Sequence, residues 1–285
     1  PDNPDNPDNP DNPDNPDKPD TPKPSGYYGT ITATSGDALL GQIHDLITTT
    51  HTHYSTYGDI RKAEIVGKTD KGSADGYIMD FYTQEDISIE WNSASPAGAW
   101  NREHLWCQSL SNGLWTKVNN SSIGGGADLH HLRPSEVKLN ATRGNLKYGE
   151  VTNSGSSYGT AYYKDSNNKD KYVGGYYSGN TFEPLDKVKG DVARIVLYVY
   201  THYNPYVNLH GTTNGTLEDS NFRTLNFTDI MSSKTEGEAI AILLKWNELD
   251  PVDEIETARN EAVFAIQGNR NPFIDHPEYA KAIWG

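Results

Sequence analysis

Apolar residues recur three and four positions apart in several stretches of this chain, which is the spacing of residues along one face of a helix. Thr235 and Glu238 have the three-residue spacing of a capping box at the start of one such stretch. Gly268 fits the end of the next stretch, because glycine readily adopts the left-handed conformation that ends many helices. The predicted helices are Asp37–Thr50, Val192–Tyr200, one beginning after Thr235, one beginning at Asp250-Pro251 and a short one beginning at Pro277.

Signals for strands are shorter and lie mostly in the middle of the chain. Gly155–Gly179, rich in Gly, Ser, Asn and Tyr, predicts a surface loop or hairpin. Trp100–Trp106 and Ala127–Leu132 predict the two strands of another hairpin, and Ser135–Asn145 predicts the helix that follows it. The pattern therefore predicts an α+β protein, in which mainly C-terminal helices surround a core of a β-hairpin plus a helix at residues 98–150.

The start of the chain shows no apolar periodicity and repeats the triplet Pro-Asp-Asn. Frequent proline and the lack of large apolar side chains predict an extended spacer that buries nothing. We therefore divide the chain into a disordered spacer, residues 1–25, and one folded domain, residues 26–285. Seven Asp against two Lys give Pro1–Pro24 a charge of -5.

The composition narrows the class of protein. The net charge is -15, so subtracting the -5 of the spacer leaves -10 on the domain, and a polyanion would have to bind a local basic patch. No apolar run approaches the roughly 18 residues that a membrane-spanning helix requires. Cys107 is the single cysteine, which excludes an internal disulfide. An acidic composition rich in Tyr and Asn is common among secreted bacterial proteins.

The residues best suited to catalysis are concentrated in Asn101–Glu150. Glu103 stands beside His104, and Asn140 adds a side-chain amide. Carboxylate and amide oxygens bind hard divalent cations, and a neutral imidazole can deprotonate water. Arg and Lys hold phosphate oxygens, so the mixture predicts phosphodiester chemistry. The basic residues of this stretch are Arg102, Lys117, Arg133, Lys138, Arg143 and Lys147.

A zinc-protease interpretation of Glu103-His104 conflicts with the spacing. The H-E-x-x-H motif would need a histidine where Arg102 stands, and the inverted motif would need one where Trp100 stands. His130 and His131 are adjacent, so on a strand they would face opposite sides and could not both join one ion. We expect both histidines to be structural, with at most one of them orienting Glu103 or a metal-bound water through a hydrogen bond.

Six blocks of residues carry a resemblance to a known family. They are Asn101–His104, Asp128–Leu132 with Pro134, Asn140, Arg143–Glu150, Gly190–Arg194 and Arg259–Trp284. On these blocks, which cover most of the chain after the spacer, it resembles the bacterial endonuclease I family of secreted ββα-metal (His-Me finger) nucleases. Two positions depart from the family pattern: Cys107-Gln108 replaces a common Pro-Lys pair, and Gly144 replaces a common Ser.

The resemblance implies a role for each matching position. His104 matches the general base that activates the attacking water. Glu103 and Asn140 match the ligands of one Mg²⁺ ion, a site that Mn²⁺ or Ca²⁺ can also occupy. The resemblance further implies a ββα-metal core and cleavage of DNA, and often of RNA, with little sequence preference and 5′-phosphate ends.

Four other residues of the same blocks are expected near the substrate. We expect Arg102, Arg143 and Lys147 to contact the nucleic acid, although Arg143 could equally pair with a nearby acid. Asn145 is expected to join the hydrogen-bond network behind the ligands.

Two alternatives stay open on the sequence alone. The chain could be a nucleic-acid or surface-binding module that keeps the fold without catalysis, which a plasmid-nicking assay with Mg²⁺ and with EDTA would decide. It could also be a zinc hydrolase of another substrate, which metal analysis would decide. We expect a bacterial protein that acts outside the cytoplasm, in the extracellular space, in the periplasm or at the cell surface. We also expect it to be a monomer without a protein partner.

The spacer yields the first prediction. Deleting Pro1–Pro24 should leave turnover at low salt unchanged, because the segment has no large apolar residue to dock on the domain and its charge of -5 repels nucleic acid. Steady-state rates of the full and shortened chains on one plasmid measure this. A large drop in rate would show that the segment belongs to the catalytic domain.

Overall fold

The computed structural model of the protein describes residues 26–91, 99–115, 117–152, 158–164, 171–204 and 224–285. The fold is a mixture of helices and small sheets, which confirms the predicted α+β class. The predicted spacer lies outside the described residues, and the extent of the domain stays a prediction. The α-helices are α1 Gly36–Thr50, α2 Ala63–Thr69, α3 Val137–Arg143, α4 Asp186–Tyr203, α5 Phe227–Ile230, α6 Glu236–Leu249, α7 Glu254–Gln267, α8 Pro272–Asp275 and α9 Glu278–Trp284.

The strands form three small sheets within the described residues. Two of the sheets are antiparallel pairs, β1 with β2 and β3 with β4. The third has the order β5-β8-β7-β6, in which β5 runs parallel to β8 and the other neighbours are antiparallel. The β6–β7 pair confirms the predicted hairpin. The strands are β1 Tyr77–Met79, β2 Asp86–Ser88, β3 Trp100–His104, β4 Leu132–Glu136, β5 Lys147–Tyr148, β6 Tyr158–Lys164, β7 Lys171–Ser178 and β8 Thr181–Pro184.

Helix α4 is the centre of the core and is buried along most of its length. Its run of Val, Ile, Leu and Tyr leaves no wide polar face, which is the pattern of a helix covered on all sides. The buried Arg194 ties α4 to the C-terminal helices, because its Nε donates to Glu256 Oε1 at 2.7 Å and its Nη1 to the carbonyl oxygen of Asp250 at 2.8 Å. Helices α1, α6 and α8 pack against α4.

Strands β3 and β4, followed directly by α3, support the candidate site. Glu103 on β3 lies opposite Arg133 on β4, and His104 lies opposite Leu132. Glu136 ends β4 and caps α3, because its side chain accepts hydrogen bonds from the backbone N–H groups of Lys138 and Leu139. The chain therefore turns from strand into helix without a loop.

The predicted position of the second strand is wrong. Ala127–Leu132 was expected to be the strand, but β4 begins at Leu132 and α3 begins at Val137. Asp128 causes the difference, because its carbonyl oxygen accepts from the N–H of His131 at 3.1 Å and its carboxylate from the N–H of His130 at 2.8 Å. Those local hydrogen bonds make the segment a turn.

The predicted start of helix α7 is also wrong. Pro251 was expected in its first turn, but the helix begins at Glu254. Asp253 provides the cap, since its side chain accepts from the N–H of Glu256 at 2.8 Å, whereas Asp250 ends α6. The predicted end is confirmed at Gly268, whose φ of 87° is left-handed.

Gly190 on α4 gives a test of this packing. A Cβ there would lie 2.0 Å from the carbonyl oxygen of Asp250. Gly190→Ala should therefore lower the free energy of unfolding in urea by about 1–3 kcal/mol, the usual effect of overpacking. Gly237→Ala is the control, because nothing lies within 4 Å of a Cβ at that position in α6. Equal stability of the Gly190 variant and the wild type would contradict the packing described.

Candidate active site

A cavity of about 460 Å³ lies beside β3 and α3. Its lining includes the three residues predicted to perform the chemistry, Glu103, His104 and Asn140. The other lining residues are Tyr57, Trp91, Asn101, Arg102, Cys107, Gln108, Ala141, Arg143, Gly144 and Asn145. Of the remaining predicted site residues, Lys147, His130 and His131 do not line it.

Glu103 holds a buried carboxylate at the inner wall of the cavity. Its Oε1 accepts a hydrogen bond from the hydroxyl of Tyr82 at 2.7 Å and lies 3.2 Å from Nη1 of Arg143. The hydroxyl of Tyr148 lies 2.8 Å from that of Tyr82 and continues the chain of bonds. Burial raises the pKa of Glu103, and Arg143 and Tyr82 oppose this shift. The other oxygen, Oε2, has no hydrogen bond to a described residue and is the atom left for a cation.

Asn140 reaches the same cavity from α3. Its Nδ2 donates to Oδ1 of Asn101 at 2.5 Å. Because this bond fixes the amide nitrogen on Asn101, the amide oxygen of Asn140 is directed elsewhere, and it accepts no hydrogen bond from the described residues. The half-buried side chain thus offers one oxygen to the cavity.

The free oxygens of Glu103 and Asn140 fit a hard divalent cation. Mg²⁺, Mn²⁺ and Ca²⁺ take oxygen ligands, and Mg²⁺ usually keeps several waters beside one or two protein oxygens. A cavity of about 460 Å³ has room for such waters and for a phosphate. The two free oxygens are hard ligands, whereas zinc is bound mostly by Cys sulfur and His nitrogen atoms.

His104 lies on β3 next to Glu103 and is held in one orientation. Its Nε2 lies 3.0 Å from the carbonyl oxygen of Gly126, and because a carbonyl only accepts, Nε2 carries the hydrogen. The neutral ring therefore keeps its lone pair on Nδ1. Tyr57 stacks on the ring at 5.4 Å between centroids. Burial lowers the pKa of His104 to about 3, so the ring is neutral near pH 7.

His131 and His130 face opposite sides of the segment that precedes β4. His131 uses both ring nitrogens, since Nδ1 donates to the carbonyl oxygen of Gly125 at 2.6 Å and Nε2 accepts from the N–H of Trp106 at 2.9 Å. His131 therefore fixes the backbone at Gly125, and the carbonyl of the next residue, Gly126, orients His104. His130 points to the C-terminal block, with Nε2 3.1 Å from the carbonyl oxygen of Asn269.

Arg143 is buried, which does not fit its predicted contact with nucleic acid. Its side chain has no exposed surface. The guanidinium donates to the carbonyl oxygens of His104 at 3.0 Å and Leu105 at 2.7 Å, and it lies 4.5 Å from the ring centroid of Tyr148. Together with the ion pair to Glu103, these contacts favour the alternative in which Arg143 pairs with an acid.

Arg102 and Lys147 are engaged by other groups. The guanidinium of Arg102 lies 3.4 Å from the ring centroid of Tyr57 and 4.9 Å from that of Trp91. It lines the cavity and brings charge there, so its contact with a phosphate stays a prediction. Lys147 donates from Nζ to the carbonyl oxygen of Thr228 at 2.6 Å, away from the cavity lining.

Comparison with known proteins decides the family. Residues 35–278 match the family model described as Endonuclease I. The chain belongs to the endonuclease I family. This confirms the resemblance seen in the sequence, and it makes the protein a nuclease, that is, a hydrolase of phosphodiester bonds.

Three relatives illustrate the range of the family. An extracellular ribonuclease of Bacillus amyloliquefaciens is 38% identical over 263 residues, which cover 90% of this chain and 78% of the relative. Endonuclease-1 of Buchnera aphidicola subsp. Acyrthosiphon pisum is 28% identical over 76% of this chain and 73% of its own length. A periplasmic deoxyribonuclease of Aeromonas hydrophila is 22% identical over 70% of this chain and 68% of its own length.

A second cluster of side chains that could bind a metal ion lies in the interior of the present protein. Atoms of His51, Asp128 and His202 lie within 4.8 Å of one another, and all three residues are buried. Their atoms are already paired, since His51 Nδ1 and His202 Nε2 are 2.9 Å apart and Asp128 Oδ2 accepts from Tyr198 and Tyr203 at 2.6 Å each. A buried and satisfied cluster gives no support to the zinc-hydrolase alternative.

Sequence reasoning missed several groups that shape the site. Asn101 orients Asn140 and stands in the same Asn-Arg-Glu-His block, so its position beside Glu103 was a usable signal. Tyr82 bonds Glu103 from 21 residues away, and the Gly126 carbonyl holds His104 from 22 residues away. No local spacing rule connects residues so far apart.

The burial of Arg143 leads to a prediction. Arg143→Ala should lower the free energy of unfolding by about 3–5 kcal/mol, because it leaves the Glu103 carboxylate buried without its cation. Affinity for Mn²⁺ in titration calorimetry should fall with it, since the unpaired carboxylate is more readily protonated.

Arg61→Ala is the matched control for Arg143→Ala. Arg61 is exposed, so its removal should change stability by no more than about 0.5 kcal/mol. If Arg143→Ala kept wild-type stability and lost only affinity for oligonucleotides, the direct phosphate contact would stand instead.

Proposed function

We propose that the protein is a secreted bacterial nuclease that hydrolyses DNA and RNA with a histidine base and one Mg²⁺ ion. The observation that carries the proposal is the single cavity that holds the free Nδ1 of His104, the Oε2 of Glu103 and the amide oxygen of Asn140. These are the acceptor of a proton and two ligands for a cation, in the family whose members cleave phosphodiesters.

His104 would take the proton from the attacking water. The water oxygen bonds to phosphorus, the bond from phosphorus to the 3′-oxygen breaks, and the products are a 5′-phosphate and a 3′-hydroxyl that takes its proton from solvent. The Nε2–H of His104 stays on the Gly126 carbonyl throughout, which keeps Nδ1 aimed and shares the charge of the protonated ring. Burial disfavours that charge, so the proton is readily returned to solvent.

Glu103 and Asn140 would hold the cation against the substrate. When bound there, Mg²⁺ supplies positive charge to the phosphate oxygens and to the leaving 3′-oxygen. Tyr82 and Arg143 fix the carboxylate of Glu103, so that its free oxygen keeps one position. Such fixed charge needs no rearrangement during the reaction, which is the main source of electrostatic catalysis.

Cleavage without sequence preference follows from what lines the cavity. The charged groups there, Arg102 and the proposed cation, attract phosphates that every nucleotide carries. The names of the relatives include both a ribonuclease and deoxyribonucleases, which supports action on both nucleic acids.

Location outside the cytoplasm is supported by the names of the relatives. Several are called extracellular and one is called periplasmic. Among the described residues, no helix is long and apolar enough to cross a membrane. We propose that the chain acts as a monomer in the extracellular space, in the periplasm or at the cell surface.

The catalytic role of His104 gives the central prediction. His104→Ala should fold and bind Mn²⁺ but lose about 100- to 10,000-fold in cleavage rate, the usual loss for a general base. Supercoiled plasmid with Mg²⁺ measures the rate, and EDTA gives the metal-free blank. His53→Ala, at an exposed histidine, is the control and should keep the wild-type rate. Rapid cleavage by His104→Ala would refute the assignment, and no cleavage by the wild type would favour a binding module without catalysis.

A further inference from the structure

A second groove lies next to the catalytic cavity, between α3 and strand β6. Its volume is about 600 Å³, larger than that of the catalytic cavity. Ala141 on α3 lines both, so the two are neighbours on either side of this helix position. The groove is lined by Lys138, Ala141, Thr142, Tyr162, Tyr163 and Lys164.

The fold fixes the position of this groove. Strand β7 packs closely against α3 at Gly174, because a Cβ added to this glycine would lie only 3.0 Å from the side chain of Leu139. Strand β6 is the edge strand of the sheet and pairs with β7. It also contacts α3, so side chains of β6 lie next to this helix. Tyr162 and Lys164 are two residues apart on β6 and therefore share one face.

The groove carries positive charge on an acidic protein. Lys138 is exposed on α3, and Lys164, the last residue of β6, pairs in register with Lys171, the first residue of β7. Within the part of the chain that the structure describes, none of the three makes an ion pair with a carboxylate. Three ammonium groups without a carboxylate partner among the described residues, two of them lining the groove, favour a polyanion.

Tyr162 gives the groove an aromatic surface. It is 39% exposed, and Nζ of Lys171 lies 4.0 Å from its ring centroid. An exposed ring flanked by lysines is the arrangement with which proteins hold single strands, because bases stack on the ring while phosphates contact the cations. A paired base cannot stack in this way, since its faces are covered by its neighbours in the duplex.

We propose that this groove binds the single-stranded continuation of the nucleic acid that is cleaved in the catalytic cavity. Lys138 and Lys164 contact its phosphates, and Tyr162 stacks on an unpaired base. This rests on the proposed nuclease function and adds a substrate class: strands that are unpaired beside the scissile bond, in RNA or in DNA.

Binding without cleavage tests the groove by itself. Anisotropy of a short fluorescein-labelled oligothymidylate in EDTA gives affinity, and its salt dependence gives the number of phosphate contacts. Tyr162→Ala should weaken binding by about five-fold or more, and Tyr162→Phe should bind as the wild type does. The double variant Lys138→Ala/Lys164→Ala should lower the salt slope by about 0.7 for each lysine lost.

The control carries the same change of net charge elsewhere. Lys245 and Lys281 pair with Glu150 and Glu248 at the surface, so Lys245→Ala/Lys281→Ala should keep wild-type affinity and slope. A duplex of the same length should show no effect of Tyr162→Ala. Thermal melting of every variant checks the fold, and Tyr162→Leu, which keeps apolar bulk but no ring, replaces Tyr162→Ala if that variant is unstable.

The outcomes separate the groove from the nuclease function. With Mg²⁺ and a single-stranded substrate, the lysine double variant should raise KM and leave kcat unchanged. If wild-type protein cleaves normally and the groove variants bind the single strand as tightly as the control does, the groove proposal is overturned while the nuclease stands. If neither the wild type nor any variant cleaves but the groove variants lose affinity for the single strand, the groove proposal is supported and the catalytic proposal fails.

Discussion

The carboxylate of Glu103 is held out of solvent by Arg143, and much of the site depends on this pair. A buried carboxylate is unstable without a cation, so Arg143 is buried too, and its guanidinium also donates from Nη1 to the carbonyl oxygen of His104 and from Nη2 to that of Leu105. The arginine thereby fixes the backbone of His104 and of the residue after it. Tyr82 completes the arrangement by occupying the same carboxylate oxygen, which leaves Oε2 for the cavity.

A second constraint connects the turn before β4 to helix α4 and the C-terminal helices. Asp128 begins the turn before β4, and its carboxylate accepts from Tyr198 on α4 and from Gln267 at the end of α7. Gln267 in turn accepts from the backbone N–H of Leu129 at 2.7 Å. The turn therefore cannot move unless the helices move. In this way Gln267, near the C-terminus, stabilises the segment that includes the Gly126 carbonyl, which orients His104.

The distribution of charge resolves an apparent conflict between an acidic chain and a polyanionic substrate. Arg133 and Arg143, which looked in the sequence like surface cations, are buried in ion pairs with Asp70 and Glu103. Arg102 is covered by aromatic rings. The buried cations therefore organise the site, whereas Arg102, which lines the cavity, and the lysines beside α3 are the groups that we propose to attract the substrate. The net charge of -15 says little about this local field.

The sequence by itself determined the family, the α+β class and three residues that meet in the cavity, Glu103, His104 and Asn140. Glu103 and His104 are neighbours in the chain, and the apolar periods of α1 and α4 require only local spacing. Tertiary structure alone decided that Arg143 turns inward, that Asp128 makes a turn where a strand was expected, and that β6 brings Tyr162 beside α3. These outcomes depend on which groups become buried together, because a buried charge or N–H must find a partner wherever the fold supplies one. Such partners lie tens of residues away, where no local pattern records them.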